Sequence, residues 1–342
     1  MPAEWEPHAA TWLAWPHNRS DWPGKFAPIP WVYAEIIRNL AAVETVHLIV
    51  QDAAEEKQAR RILGKVGTAM ERVQSHRWPT NRVWTRDYGP IFVTSDRQLA
   101  VVKFKFNAWA KYPDWKADNQ IPARAAKALK LPVFEAKIAG RPLVLEGGSI
   151  DVNGCGTLLT TEECLLSEVQ ARNPGATRGQ IEQALHDQLG AGTVIWLERG
   201  IAGDDTHGHI DDIARFVSPS SVVAAVERNA SDANHQPLAA NLKTLRRARD
   251  QGGRQLTVIE VPMPRPLVFS GQRLPASYAN FYIANGRVLV PVFNDPNDRV
   301  ALDVLAEAMP ERTIVPIYCG DLIWGLGAIH CLTQQEPVGS GQ

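Results

Sequence analysis

The stretch "LEGGSIDVNGCGTLLTTEECLL", Leu145 to Leu166, reads as a strand, a tight turn and a second strand. Asn153-Gly154 is a dipeptide that two-residue hairpin turns favour, because their central residues need positive φ. The flanks are rich in Leu, Val, Ile and Thr, side chains that fit a pleated, half-buried surface. A polar cluster, Glu146 to Ser149, precedes the first strand.

Moving outward, the same order recurs: polar cluster, strand, turn, strand, helical stretch, strand. "GHIDDIARFVSPSSVVAAVERN" turns at Ser218-Pro219, "YANFYIANGRVLVPVFNDPND" at Asn285-Gly286, and "RDYGPIFVTSDRQLAVVKFKFNAW" near Ser95-Asp96. These turns lie roughly 60 residues apart, a period that signals a ring or a stacked array. Periodicity predicts helices over Ala53–Lys65, Arg178–Leu189, 237–249 and Asn297–Ala308, most followed by a short strand such as "TVIWLE" or "TIVPIY". The ends, "EPHAATWLAWPHN" and "GAIHCLTQQEP", each look like half a hairpin, so a fifth unit completed by both termini would close a ring without exposed edges. An ordinary α/β sheet with repeated hairpins is the competing architecture. In the ring, the polar cluster ahead of each first strand faces the axis, and functional residues from every repeat meet in one central pocket.

Composition narrows the function. The 342 residues are 45% hydrophobic and 21% charged, enough to bury a large core. No Gly/Ser linker or charge block divides them, so a single domain over 1–342 is expected. With 36 Lys plus Arg against 37 Asp plus Glu, no global field attracts phosphate backbones or anionic membrane, which argues against nucleic-acid and membrane partners. Four cysteines without a Cys-x-x-Cys pair make neither a disulfide framework nor a zinc ribbon. The start lacks a basic segment followed by an apolar run, and no later run approaches a membrane span, so a cytoplasmic location is expected.

Several clusters could carry chemistry. "WTRDYGP" puts Arg86 and Asp87 beside Trp84 and Tyr88 and ends in a turn signal; alone, it reads as an Arg-Asp pair supporting that turn. Glu146 precedes two glycines that permit close backbone approach. "GDDTHGHIDDIARF" is the densest cluster, with Asp204, Asp205, His207, His209, Asp211 and Asp212. In extended backbone, residues two apart share a face, so His207, His209 and Asp211 could point together. That set could hold a catalytic zinc with an open water position. Alternatively His209 is a general acid/base and Asp211 a carboxylate that receives a cation. Cys331 in "WGLGAIHCLTQQ" is either inert filling between Ile329 and Leu332 or a nucleophile behind Gly325 and Gly327, whose missing side chains let backbone approach a planar ligand.

Taken together, "EWEPHAAT", "WTRDYGP", "FNAW", "LEGGSIDVNGCGTLLTTEECLL" followed by "RNP", "DDTHGHIDD" and "IHCLTQQEP" resemble the agmatine deiminase / bacterial peptidylarginine-deiminase-like family of the guanidine-modifying superfamily. The matches keep the family's order and span nearly the whole chain. The resemblance implies a five-bladed α/β propeller, the pentein fold, with no metal and no organic cofactor. It implies Cys331 as nucleophile, His209 as general acid/base, and Asp87 and Asp211 as guanidinium-binding carboxylates. Trp84, Glu146, Asp205, Gly325 and Gly327 would help form the substrate pocket. The implied reaction is hydrolysis of agmatine to N-carbamoylputrescine and ammonia, a step of putrescine and polyamine biosynthesis, with a small cationic guanidine as the partner. Other readings stay open: a deiminase of arginine, peptidyl-arginine or another alkylguanidine, a zinc hydrolase, or a non-catalytic guanidine-binding protein. Whether the chain forms a homo-oligomer is equally open.

Overall fold

Asn153 makes the decisive turn with its own side chain: Oδ1 accepts from the Cys155 and Thr157 amides at 3.0 and 2.9 Å, and Gly154 follows at φ 71°. In the computed structural model, which describes residues 1–95 and 98–339, this turn joins Asp151–Val152 to Thr157–Thr161 as an antiparallel pair. The chain then crosses through helix Arg178–Leu189 and returns as Thr193–Leu197, parallel to Thr157–Thr161. A capping box between Thr177 and Gln180 starts that helix, and Gly190 ends it in the left-handed region.

The other units repeat the plan. Ile91–Ser95 and Gln98–Lys103 pair antiparallel, helix Ile121–Leu129 follows, and Val133–Glu135 adds in parallel. Asp96, in the turn expected near Ser95-Asp96, lies outside the described residues. Ala214–Ser218, Ser221–Val226 and Thr257–Pro262 form the next sheet around helix His235–Arg247. This helix stops two residues short of the sequence expectation because Ala248 turns extended, ψ 150°, and Arg249 bridges to Gln255 instead. Tyr282–Ala284, Arg287–Val292 and Thr313–Tyr318 form another sheet with helix Asn297–Ala308.

The termini share the remaining unit. Gln334–Pro337 pairs antiparallel with His8–Ala14, which is parallel to Thr45–Val50 and through it to Val73–Arg77. The fold is therefore mixed α/β, in open sheets of two to four strands; among the described residues no sheet closes on itself. No described helix is long and apolar enough to cross a membrane.

What positions the site is the segment before each hairpin. One-turn helices Thr85–Tyr88, Gly147–Ser149, Ile210–Asp212 and Ile329–Leu332 stand there, each buried. In the Tyr282–Ala284 unit the place is taken by Ser277 to Asn280, closed by a hydrogen bond from the Asn280 amide to the Ser277 carbonyl. Glu4 links two of them, its carboxylate facing Arg86 at 3.1 Å and His330 at 2.8 Å, and it reaches Arg215 of Ala214–Ser218 at 2.7 Å.

Candidate active site

The segments ahead of the hairpins meet beneath a cavity of about 290 Å³. Cys331, Asp87, Trp84, Gly325 and Gly327 line it, and Asp205 stands in its wall. His209, Asp211 and Glu146 are not among the lining residues; they lie buried behind it.

Asp87 is held from two sides. Its Oδ2 accepts the Trp109 indole N–H at 2.8 Å and its Oδ1 the Gly148 amide at 3.1 Å. His209 Nδ1 stands 3.7 Å from Oδ1. Gly148 permits this crowding, since a Cβ there would lie 2.6 Å from His209 Nδ1 and 2.7 Å from Asp87 Oδ1. Burial pushes the Asp87 carboxyl up to about 6, against the pull of His209 and the Trp109 hydrogen bond and with the repulsion of Asp211 and Glu146.

His209 lies between two carboxylates, with Glu146 Oε2 3.7 Å from Nε2. Burial opposes a charge on the ring, but Asp87, Cys164 and Glu146 together prevail and hold it well above the usual histidine value. Glu146 is in turn gripped by Arg172, whose Nε donates to both of its oxygens at 3.1 and 3.3 Å. Burial would raise Glu146, yet Arg172 and His209 keep it below the ordinary range. A charged imidazole flanked by acids is equipped to give a proton to a leaving group.

Cys331 occupies the one-turn helix Ile329–Leu332, its Sγ 3.6 Å from Asp211 Oδ2 and 3.1 Å from the Asn280 Nδ2 that donates to it. Burial pushes the thiol well above its usual value, and Asp211, Asp212 and Asp87 add to the push. A Cβ on Gly327 would come within 2.6 Å of Trp84 and 3.1 Å of Cys331 Cβ, so the bare backbone lets both reach the cavity. Asp211 Oδ2 meets His330 Nδ1 at 2.7 Å, while among the described residues its buried Oδ1 has no hydrogen-bond partner. Burial would raise Asp211, but the His330 contact, with help from His209 and Arg215, lowers it. The site thus presents buried carboxylates beside a thiol, an arrangement suited to a planar cation with several N–H groups.

The match to known proteins follows the same outline. The family pattern of Porphyromonas-type peptidyl-arginine deiminase covers residues 1–337. The chain belongs to that family. An agmatine deiminase of Stutzerimonas stutzeri is 37% identical over 98% of this chain and 95% of its own. The solved agmatine deiminase of Enterococcus faecalis superposes with a TM-score of 0.91 at 31% identity, covering 98% of this chain and 95% of that one. A C. jejuni agmatine deiminase, solved with substrate bound and a cysteine replaced by serine, has a TM-score of 0.88 at 30% identity over 99% and 96% of the two chains.

Within this family member, the sequence-predicted residues fall into two places. Cys331, Asp87, Trp84, Gly325, Gly327 and Asp205 border the cavity, and His209, Asp211 and Glu146 support it from behind. The proposed zinc set is not assembled: His207 turns away at φ 66° and its Nε2 meets Ser167 Oγ at 3.1 Å. Among the described residues, the side chains that gather their ligand atoms within 4.8 Å are Glu146, Cys164 and His209. Arg172 already occupies Glu146, which disfavours a second cation there.

Sequence reasoning passed over Asn280, Trp109, Arg172 and His330. Asn280 holds the turn that carries Cys331: its Oδ1 accepts the His330 amide at 3.0 Å, and its Nδ2 also reaches Asp212 at 2.9 Å. One signal could have found it. Asn280 sits just before the first strand of its hairpin, where the ring reading placed the functional cluster of every repeat.

Proposed function

We propose that the protein is a hydrolase that deiminates a guanidine, with agmatine and water giving N-carbamoylputrescine and ammonia. The observation that carries this reading is Asp211 beside Cys331, one oxygen 3.6 Å from Sγ and the other buried without a partner among the described residues. A guanidinium between Asp211 and Asp87 supplies the missing donors through charge-assisted hydrogen bonds and presents its carbon to the sulfur. Kinship to proteins named agmatine deiminase supports agmatine as the substrate.

Binding of the cation neutralises the carboxylates that oppose ionisation of Cys331, so the thiol gives its proton to water in the cavity and the thiolate adds to the guanidinium carbon. Orientation in such a site supplies on the order of 7 to 11 kcal/mol of the barrier. His209 protonates the departing nitrogen, the C–N bond breaks, and ammonia leaves an amidino-thioether on sulfur. The neutral His209 then takes a proton from water as the water oxygen bonds to carbon. The C–S bond breaks, the hydroxyl proton returns to sulfur, and a urea leaves. Trp84 and the Gly325 and Gly327 backbone wall the pocket, and Asp205 meets the substrate's tail.

The same reading includes a single domain whose five units stand in a ring, supported by the shared strand-turn-strand plan and by the pairing of Gln334–Pro337 with His8–Ala14. The four free cysteines fit a reducing, cytoplasmic setting. Intact-mass measurement of protein quenched during turnover of agmatine tests the chemistry. The expected result is an amidino adduct on Cys331 with ammonia released, resistant to chelator and absent in Cys331→Ser. Ammonia from another alkylguanidine but none from agmatine removes the named substrate; turnover by Cys331→Ser removes the mechanism.

A further inference from the structure

At the cavity's outer end, the acid that would meet a substrate tail already has a cation. Asp205 forms an ion pair with Lys111 Nζ through Oδ1, and its Oδ2 accepts the Tyr112 hydroxyl at 2.7 Å. The pair is open to water, the Lys111 side chain 39% and that of Asp205 20% exposed. The other outer carboxylate, Asp21, is paired with Arg82 at 2.5 Å. Asp87, by contrast, has neither a lysine nor an arginine partner among the described residues.

Lys111 is delivered by an uncommon turn. Ala108, Trp109 and Ala110 take φ of 52°, 58° and 53°, three successive residues in the left-handed region. This turn sends the Trp109 indole inward to Asp87 and places Lys111, two residues on, against Asp205. Gln170 ties the two loops by donating to the carbonyls of Trp109 at 3.1 Å and Asp205 at 3.2 Å. One short segment therefore touches both Asp87 and Asp205 in the cavity wall.

We propose that Lys111 is a specificity-determining residue, a built-in competitor for Asp205 that a substrate with a cationic tail must displace and a substrate with an uncharged tail need not. The inference rests on the guanidine reading of the site and adds how the tail's charge is weighed. Exposed ion pairs are weak, so displacement is modest and sensitive to salt. Lys111 stands away from the reacting atoms, so its influence falls on KM rather than kcat.

The test compares wild type with Lys111→Gln on agmatine and on butylguanidine, which has the same guanidine but an uncharged tail. Removing the competitor should lower KM for agmatine about two- to fivefold, given the usual worth of such pairs. KM for butylguanidine should stay put, Lys111→Arg should restore the wild-type value, and high salt should shrink the difference. A rise in agmatine KM, or an equal shift for both substrates, overturns the proposal. Calorimetry with 1,4-diaminobutane gives a readout that needs no turnover, with tighter binding expected in Lys111→Gln. Tighter diamine binding in a protein that deiminates no guanidine keeps the Lys111 competition while the catalytic reading fails. Agmatine turnover with KM and diamine affinity both unmoved by the substitution does the reverse.

Discussion

Asp87 stands where burial and hydrogen bonding pull in opposite directions, and burial wins far enough to bring its carboxyl to about 6. A guanidinium needs the carboxylate form. With the value raised, the proton is held more tightly and the required charge is lost as pH falls through about 6. The expected outcome is a kcat/KM for agmatine that drops about tenfold per unit on the acid side of that point, as for a single essential group. Trp109→Phe removes the indole donor that favours the charged form, so the acid limb should move to higher pH. A profile flat down to pH 5, or a limb unmoved by Trp109→Phe, would take Asp87 out of guanidinium binding.

At this scale the sequence was legible where chemistry is conspicuous. A dense His and Asp run and a cysteine behind glycines stand out, whereas Asn280 and Arg172 are ordinary polar residues until their partners, 51 and 26 positions away, are known.

Among elements, the segment around Glu4 acts as a staple rather than a loose end. Its carboxylate is buried among Arg86, Arg215 and His330 and also accepts the Ile283 amide at 2.9 Å. Burial would raise its pKa, but Arg215, His330 and Arg86 bring it well below the ordinary value. Removing one partner from a buried charge network costs about 3–5 kcal/mol, because the remaining charges stay desolvated. Glu4→Gln should therefore lower the denaturation midpoint sharply and reduce turnover, since His330 bridges Glu4 to Asp211. Exposed Glu6→Gln should stay within about 0.5 kcal/mol of wild type. Because the folded-state value is depressed, Glu4's contribution is present above the unfolded carboxylate pKa, about 4.3, and fades below it, so the gap between Glu4→Gln and wild type should close in acid.

Helices and hairpins were readable here because periodicity and turn chemistry are local: helices Ala53–Lys65, Arg178–Leu189 and Asn297–Ala308 run over the spans their patterns predict. The role of Glu4 was not, because it depends on residues from three other units and on His330 from the far end of the chain meeting at one carboxylate.

For the whole molecule, the pairing of first and last strands means that the chain's two ends serve one unit. Met1 and Pro337 border the same small cavity, and Val338 donates to the Pro7 carbonyl at 3.0 Å. If the units stand in a ring, the point where the chain is cut is separable from the fold, provided that the cut falls in an exposed turn with no duties between units. The Ala139–Gly140 turn meets that condition. It lies exposed between Lys137–Ile138 and Arg141–Pro142, and among the described residues nothing stands within 4 Å of where a Gly140 Cβ would be. The Asn153–Gly154 turn does not, because Asn153 donates to the Pro219 carbonyl and to Gln251 of the following unit. A permutant that joins the old termini and opens at Ala139–Gly140 should fold and release ammonia from agmatine, while one opened at Asn153–Gly154 should melt earlier. Equal failure of both permutants would mean that chain order, and not closure between units, holds the site together.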